Sequence, residues 1–173
     1  IILKGRNFAD NWRVYHKYLD STEPEDYYVM LESTNARSAD QNASSMNDTA
    51  PTSSVFSLGT DSAINGSSQS MLAYCFAPVA GYSAFGSYEG NGSTDGAFVS
   101  TSFRPALVIC KNIDAAQPWQ IFDSAREPEN VITKGLQANS SGAEYDSTAR
   151  IDFLSNGFKI RAGSGTEPNV SGQ

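Results

Sequence analysis

Apolar runs of four to seven residues, each closed by turn-forming Gly, Asn, Asp, Ser or Pro, follow one another along most of this chain. Runs this short suit strands, because a helix needs ~10–12 residues of 3.6-residue periodicity to bury a face. They fall at Ile1–Lys4, Trp12–Tyr18, Tyr27–Glu32, Ser54–Leu58, Met71–Ala77, Ala97–Thr101, Ala106–Lys111, Trp119–Asp123, Ile151–Leu154 and Gly157–Arg161. An Asn156-Gly157 pair separates the last two runs and predicts a hairpin. Val131–Ala138 is the one stretch that predicts a turn or two of helix, with Gly135 working against it. About ten short strands with polar turns predict an all-β fold of stacked antiparallel sheets, a sandwich or jelly roll.

Composition narrows the function classes. Charged residues are 18% of the chain and the formal net charge is -7, which argues against a nucleic-acid or anionic-membrane surface. No apolar run approaches the ~20 residues needed to span a bilayer, so no membrane insertion is expected. Ser, Thr, Asn and Gly supply about a third of the chain, a composition that favours turns over long helices. The polar stretch Ser33–Ser54 has no apolar period and predicts a broad surface loop. The start at Ile1-Ile2-Leu3, without Met or a signal pattern, reads as a piece of a longer or processed polypeptide. Cys75 and Cys110 sit in strand-like runs; two buried thiols are expected, and a disulfide is open if the strands are neighbours.

An internal repeat organises the chain. Lys4 and Trp12 recur as Lys111 and Trp119, both displaced by the same number of residues, and an alternating strand follows each Trp. Looser matches join Phe56-Ser57-Leu58 to Phe158-Lys159-Ile160 and Asn65–Gln69 to Asn169–Gln173. Two related units are expected, approximately 1–77 and 104–173, joined by a Gly- and aromatic-rich connection over 78–103. The second copy stops where the first runs on into Met71–Phe76, so an edge strand near one terminus should pair with a neighbour.

The most distinctive text is Ala73-Tyr74-Cys75-Phe76-Ala77, then Gly81-Tyr82-Ser83-Ala84-Phe85-Gly86-Ser87-Tyr88, then Gly90-Asn91-Gly92-Ser93-Thr94-Asp95-Gly96. Phe103-Arg104-Pro105 and Asp152–Lys159 follow. These phrases resemble an uncharacterised repeat domain in structural proteins of marine tailed bacteriophages. The resemblance implies a concanavalin A-like, laminin-G-like jelly roll, tandem copies in one polypeptide, and no established catalytic set. Ser102 stands where a Gly is frequent in that family. On this resemblance the chain is expected to be a non-enzymatic module at a virion surface, as capsid decoration, fibre or receptor-binding adhesin. Its partners would be other copies of itself, other virion proteins, or a host surface glycan. The alternative is a bacterial extracellular lectin-like or filament-forming protein, and after it a glycan depolymerase.

Tyr82, Tyr88, Asn91 and Asp95 are the candidate glycan-binding residues, since aromatic faces and amide or carboxylate groups together suit a sugar ring. Glu89, Asn91 and Asp95 also place oxygens at alternating positions, as a calcium loop does, without the closing acid of an EF-hand. No other cofactor is expected. His16 is the sole histidine, no Gly-x-Ser-x-Gly elbow exists, and a structural role is expected for it. Only Asp123 and Glu32 stand on strand-like runs where a hydrolase could place its acids. Glycan acceptor tripeptides start at Asn42, Asn47, Asn65, Asn91, Asn139 and Asn169.

Overall fold

The computed structural model describes residues 1–40, 44–163 and 168–173, with Ser147 described by its backbone alone. The acceptor tripeptide at Asn42 lies outside the described residues. The chain is nearly all β and divides into two compact units, Ile1–Phe76 and Ala77–Gln173. Residues 78–103 thus fold with the second unit.

In the first unit, β1 (Ile2–Gly5), β2 (Arg13–Val14), β3 (Tyr27–Met30), β4 (Ser38–Ala39) and β5 (Met71–Tyr74) form one antiparallel sheet in the order β4-β3-β2-β1-β5. Leu3 is buried against Ala63 and Ile64 of a single-turn helix, α1 (Ser62–Asn65), with Ile1, Phe56, Leu58 and Met71 around them. The Asp61 carboxylate caps α1 by accepting the Ala63 N–H at 2.9 Å. The predicted strand at Ser54–Leu58 is instead a loop, drawn in by burial of Phe56 and Leu58 rather than by pairing. The polar stretch after Ser33 is more than a surface loop: it supplies β4 and the buried residues Asp40, Ser45 and Met46.

In the second unit, β6 (Phe98–Ser100), β9 (Ile132–Gly135), β10 (Tyr145–Leu154) and β11 (Gly157–Ile160) form a sheet in the order β6-β11-β10-β9. β7 (Leu107–Cys110) and β8 (Gln120–Asp123) make a second, two-stranded sheet. Val108 and Phe122 from the pair pack on Ile132, Ile151, Phe153, Phe158 and Ile160, the contact that makes this unit a sandwich. Ser155 and Asn156 turn the chain between β10 and β11, where the Asn-Gly pair predicts a hairpin. The predicted helix at Val131–Ala138 is wrong, because β9 occupies it. Ile132 is fully buried opposite Ile151, and Gly135 lies where a Cβ would fall 2.2 Å from the Tyr145 hydroxyl.

The ladder registers of the units coincide. Ile2↔Val14 and Leu3↔Arg13 in β1–β2 have counterparts in Ile109↔Ile121 and Cys110↔Gln120 in β7–β8. Val14↔Val29 has its counterpart in the bridge Ile121↔Leu136. Each pair is displaced by the interval that separates Trp12 from Trp119. Even the bond at each Trp is kept. The Trp12 N–H donates to the Glu32 carboxylate at 3.0 Å, and the Trp119 N–H to the Asn139 side-chain oxygen at 2.8 Å.

Neither cysteine forms a disulfide. Cys110 is half-buried, and Cys75 is exposed rather than buried because it lies just past the end of β5.

Candidate functional site

The Gly-rich loop after Tyr88 is closed upon itself and upon Asn169. Asn169 is fully buried: its side-chain oxygen accepts the Asn91 N–H at 3.0 Å, and its NH2 donates to Ser93 O at 2.7 Å and Ala162 O at 2.8 Å. The Asn91 side-chain oxygen accepts from Ser93 N–H and from Asn169, while its NH2 donates to Asp95 O. Gly92, at φ 68°, turns the loop where a side chain would be strained. The Asp95 carboxylate is paired with the Lys159 ammonium at 2.7 Å, which, as hydrogen-bond donor and then as charge, holds its pKa below the ordinary range.

The five candidate glycan and calcium residues are therefore divided in space and in role. Tyr88 is half-buried, with its ring edge-on to Phe158 and its hydroxyl donating to Pro168 O at 2.8 Å. Tyr82 is 82% exposed, on a separate tight turn bounded by the Val79↔Ser83 bridge. Glu89 is exposed, whereas Asn91 and Asp95 spend their oxygens on the loop and on Lys159. Among the described residues, no group of three or more His, Cys, Asp or Glu is arranged to hold a metal ion. Asn169 is inaccessible as a modification site.

The acids on strands also carry structural bonds. Asp123 accepts from Ala125 and Arg126 N–H and pairs with the Arg126 guanidinium at 2.6 Å. Partial burial opposes its ionisation, but the Arg126 bonds outweigh this and hold the carboxyl below its usual range, the wrong direction for a general acid. Glu32 belongs to the other unit and caps the Trp12 N–H. Burial, then the N-terminal ammonium and Lys17, push the His16 pKa down, and its Nδ1 accepts the Tyr18 N–H at 3.3 Å.

Arg13 anchors a polar cluster beneath the first sheet. Its guanidinium lies 3.8 Å from the Tyr28 ring centre, pairs with Asp61 at 2.8 Å and donates to the Ser45 hydroxyl. The crevice beside it, also lined by Tyr27 and Met46, encloses only about 10 Å3. That is below the ~300–1,000 Å3 of ligand pockets.

The opposite face of the same sheet is covered over β2 and β3, where Val14 and Val29 are buried, and exposed at its β5 edge. Registers place Tyr74 beside Ile2 and Leu72 beside Lys4 on a common face. Trp12 stacks on Tyr74, with ring centres 6.4 Å apart and planes 25° apart, and the Lys4 ammonium lies 5.7 Å from the Trp12 ring centre. Tyr74 is 46% exposed, Leu72 41% and Phe76 60%. This is a paired aromatic surface with a cation at its margin, suited to stacking on apolar faces of sugars or on apolar side chains. The sequence shows each residue singly; the β1–β5 pairing that joins them spans most of the unit.

Fold and site together define a nearly all-β chain of antiparallel sheets with a stacked aromatic pair on a sheet face. The chain belongs to the domain of unknown function family DUF7483, whose model matches residues 1–173. No curated protein and no solved structure matches it.

Proposed function

We propose that this chain is a non-enzymatic structural module of a marine bacteriophage virion surface, of concanavalin A-like jelly-roll descent, that works by contact. The observation that carries the reading is the Trp12–Tyr74 stack, half-buried at Trp12 and exposed at Tyr74, with Lys4 and Leu72 beside it. The phrasing of residues 72–103 supports the viral setting. A surface poor in charge also supports it, because in seawater salt, charge-based contacts are screened within a few ångströms while aromatic stacking persists. The employment of Asp123 and Glu32 in structural bonds supports a module without hydrolysis.

Binding to a panel of marine bacterial surface polysaccharides, with reducing ends assayed in parallel, tests it. Retention that is lost in Trp12→Ala and Tyr74→Ala, with the circular dichroism spectrum unchanged and no new reducing ends, is the expected result. Release of reducing ends that disappears in Asp123→Asn or Glu32→Gln overturns the non-enzymatic reading. Retention unchanged in both aromatic variants overturns the assignment of the face.

A further inference from the structure

β1 has a neighbour on each side. β2 pairs along one edge, and β5 pairs along the other in the antiparallel register Ile2↔Tyr74 through Gly5↔Met71. β7 is the counterpart of β1, because its register with β8 repeats that of β1 with β2. Along its second edge, however, β7 has no strand among the described residues.

The open edge is well formed. The Ser124 N–H donates to Ala106 O at 3.0 Å, so the even-numbered residues of β7 bond to β8. Alternation then turns the N–H and C=O groups of Leu107 and Ile109 outward. Their side chains are 55% and 52% exposed. From Ala106 to Cys110 there is no charged residue and no proline, the devices by which exposed edges usually refuse a partner.

We propose that the β7 edge accepts an extended strand donated by a partner polypeptide, added antiparallel in the register that β5 adopts on β1. Main-chain bonds at Leu107 and Ile109 would supply affinity, and alternate side chains of the donor would supply selectivity. The β1 template sets that pattern. The donor residue in the place of Tyr74 lies opposite Ile109, and the one in the place of Phe76 lies opposite Leu107. The partner is therefore a segment with large apolar or aromatic residues at alternate positions and a small residue between them. This inference does not rest on the aromatic face of the first unit.

The test uses the whole chain and a fluorescently labelled peptide with the sequence of Ser70–Ala77 carrying Cys75→Ser. Saturable binding is expected, weakened at least about tenfold by Ile109→Lys or Leu107→Lys and by N-methylation of the peptide at the Tyr74 position. Binding should be unaltered by Trp12→Ala. Both lysine variants change exposed side chains, and an unchanged circular dichroism spectrum establishes their folding. Absence of binding overturns the proposal, as does binding insensitive to the β7 variants, which would mean exchange with β5. A dimer in sedimentation that Ile109→Lys dissolves, with no peptide uptake, also overturns it and gives the edge to a second copy.

Discussion

Asn169→Ala should cost the second unit about 3 kcal/mol. The side chain is fully buried and makes three bonds of 2.7 to 3.0 Å to Asn91 N–H, Ser93 O and Ala162 O. The bond to Ala162 O is wholly buried, so that carbonyl would lose its donor with no water to replace it, at ~1–3 kcal/mol. The other two are partly buried and contribute ~0.5–1.5 kcal/mol each. Against a typical domain stability of ~5–15 kcal/mol, this is a large fraction. Asn169→Asp separates bonding from volume. It keeps the shape but turns an acceptor toward two carbonyls, so it should be at least as damaging as Ala at neutral pH and partly relieved in acid. Urea unfolding followed by Trp119 fluorescence in a Trp12→Phe background gives both numbers. A loss below about 1 kcal/mol for Ala, or an Asp variant as stable as the parent at neutral pH, would refute the reasoning.

Ser102 holds φ 65°, so Ser102→Gly should raise stability by about 0.5–1 kcal/mol in scanning calorimetry, strain relief exceeding the added unfolded-state entropy. Asp61→Ala removes both the cap of α1 and the partner of Arg13, whose side chains are 16% and 14% exposed; a loss of about 3 kcal/mol should appear in urea unfolding of the first unit. Burial alone would raise the Glu127 pKa, but bonds from the Lys134 and Thr133 N–H groups and the Thr133 hydroxyl outweigh it and hold it low. Its contribution is therefore fully present above the ordinary Glu value of ~4.3 and fades as pH falls through the folded value; Glu127→Gln should flatten the acid limb of a stability-versus-pH curve.

Strands were legible wherever alternation was local, as in Gly157–Ile160 after its Asn-Gly pair. The strand at Ile132–Gly135 was not, since what makes it a strand is Ile151 and Tyr145 on a distant partner, not its own propensity. The loop at Asn91 shows its glycines in the sequence but not its anchor. Asn169 is 78 residues away and stands out only in a loose repeat match and as a glycan acceptor, the second of which its burial rules out. For the same reason Trp12 and Tyr74 appear singly in the sequence, because their meeting depends on the β1–β5 register.

Arg13 and Gln120 occupy matching register positions, and each is met by side chains its counterpart does not have. Arg13 has Asp61, Ser45 and Tyr28, whereas Gln120 accepts from the Tyr145 hydroxyl. During folding, two units that share the register of one hairpin, β1–β2 in the first and β7–β8 in the second, risk exchanging it. A β2 hairpin lodged in the second sandwich would bring a guanidinium with no carboxylate to meet it, and a β8 hairpin in the first would leave Asp61 facing a neutral amide. Either error strands a desolvated charge, at a cost of ~3–5 kcal/mol. One polar residue per hairpin thus acts as a proofreading key, letting two hairpins of the same register sort into their own sheets.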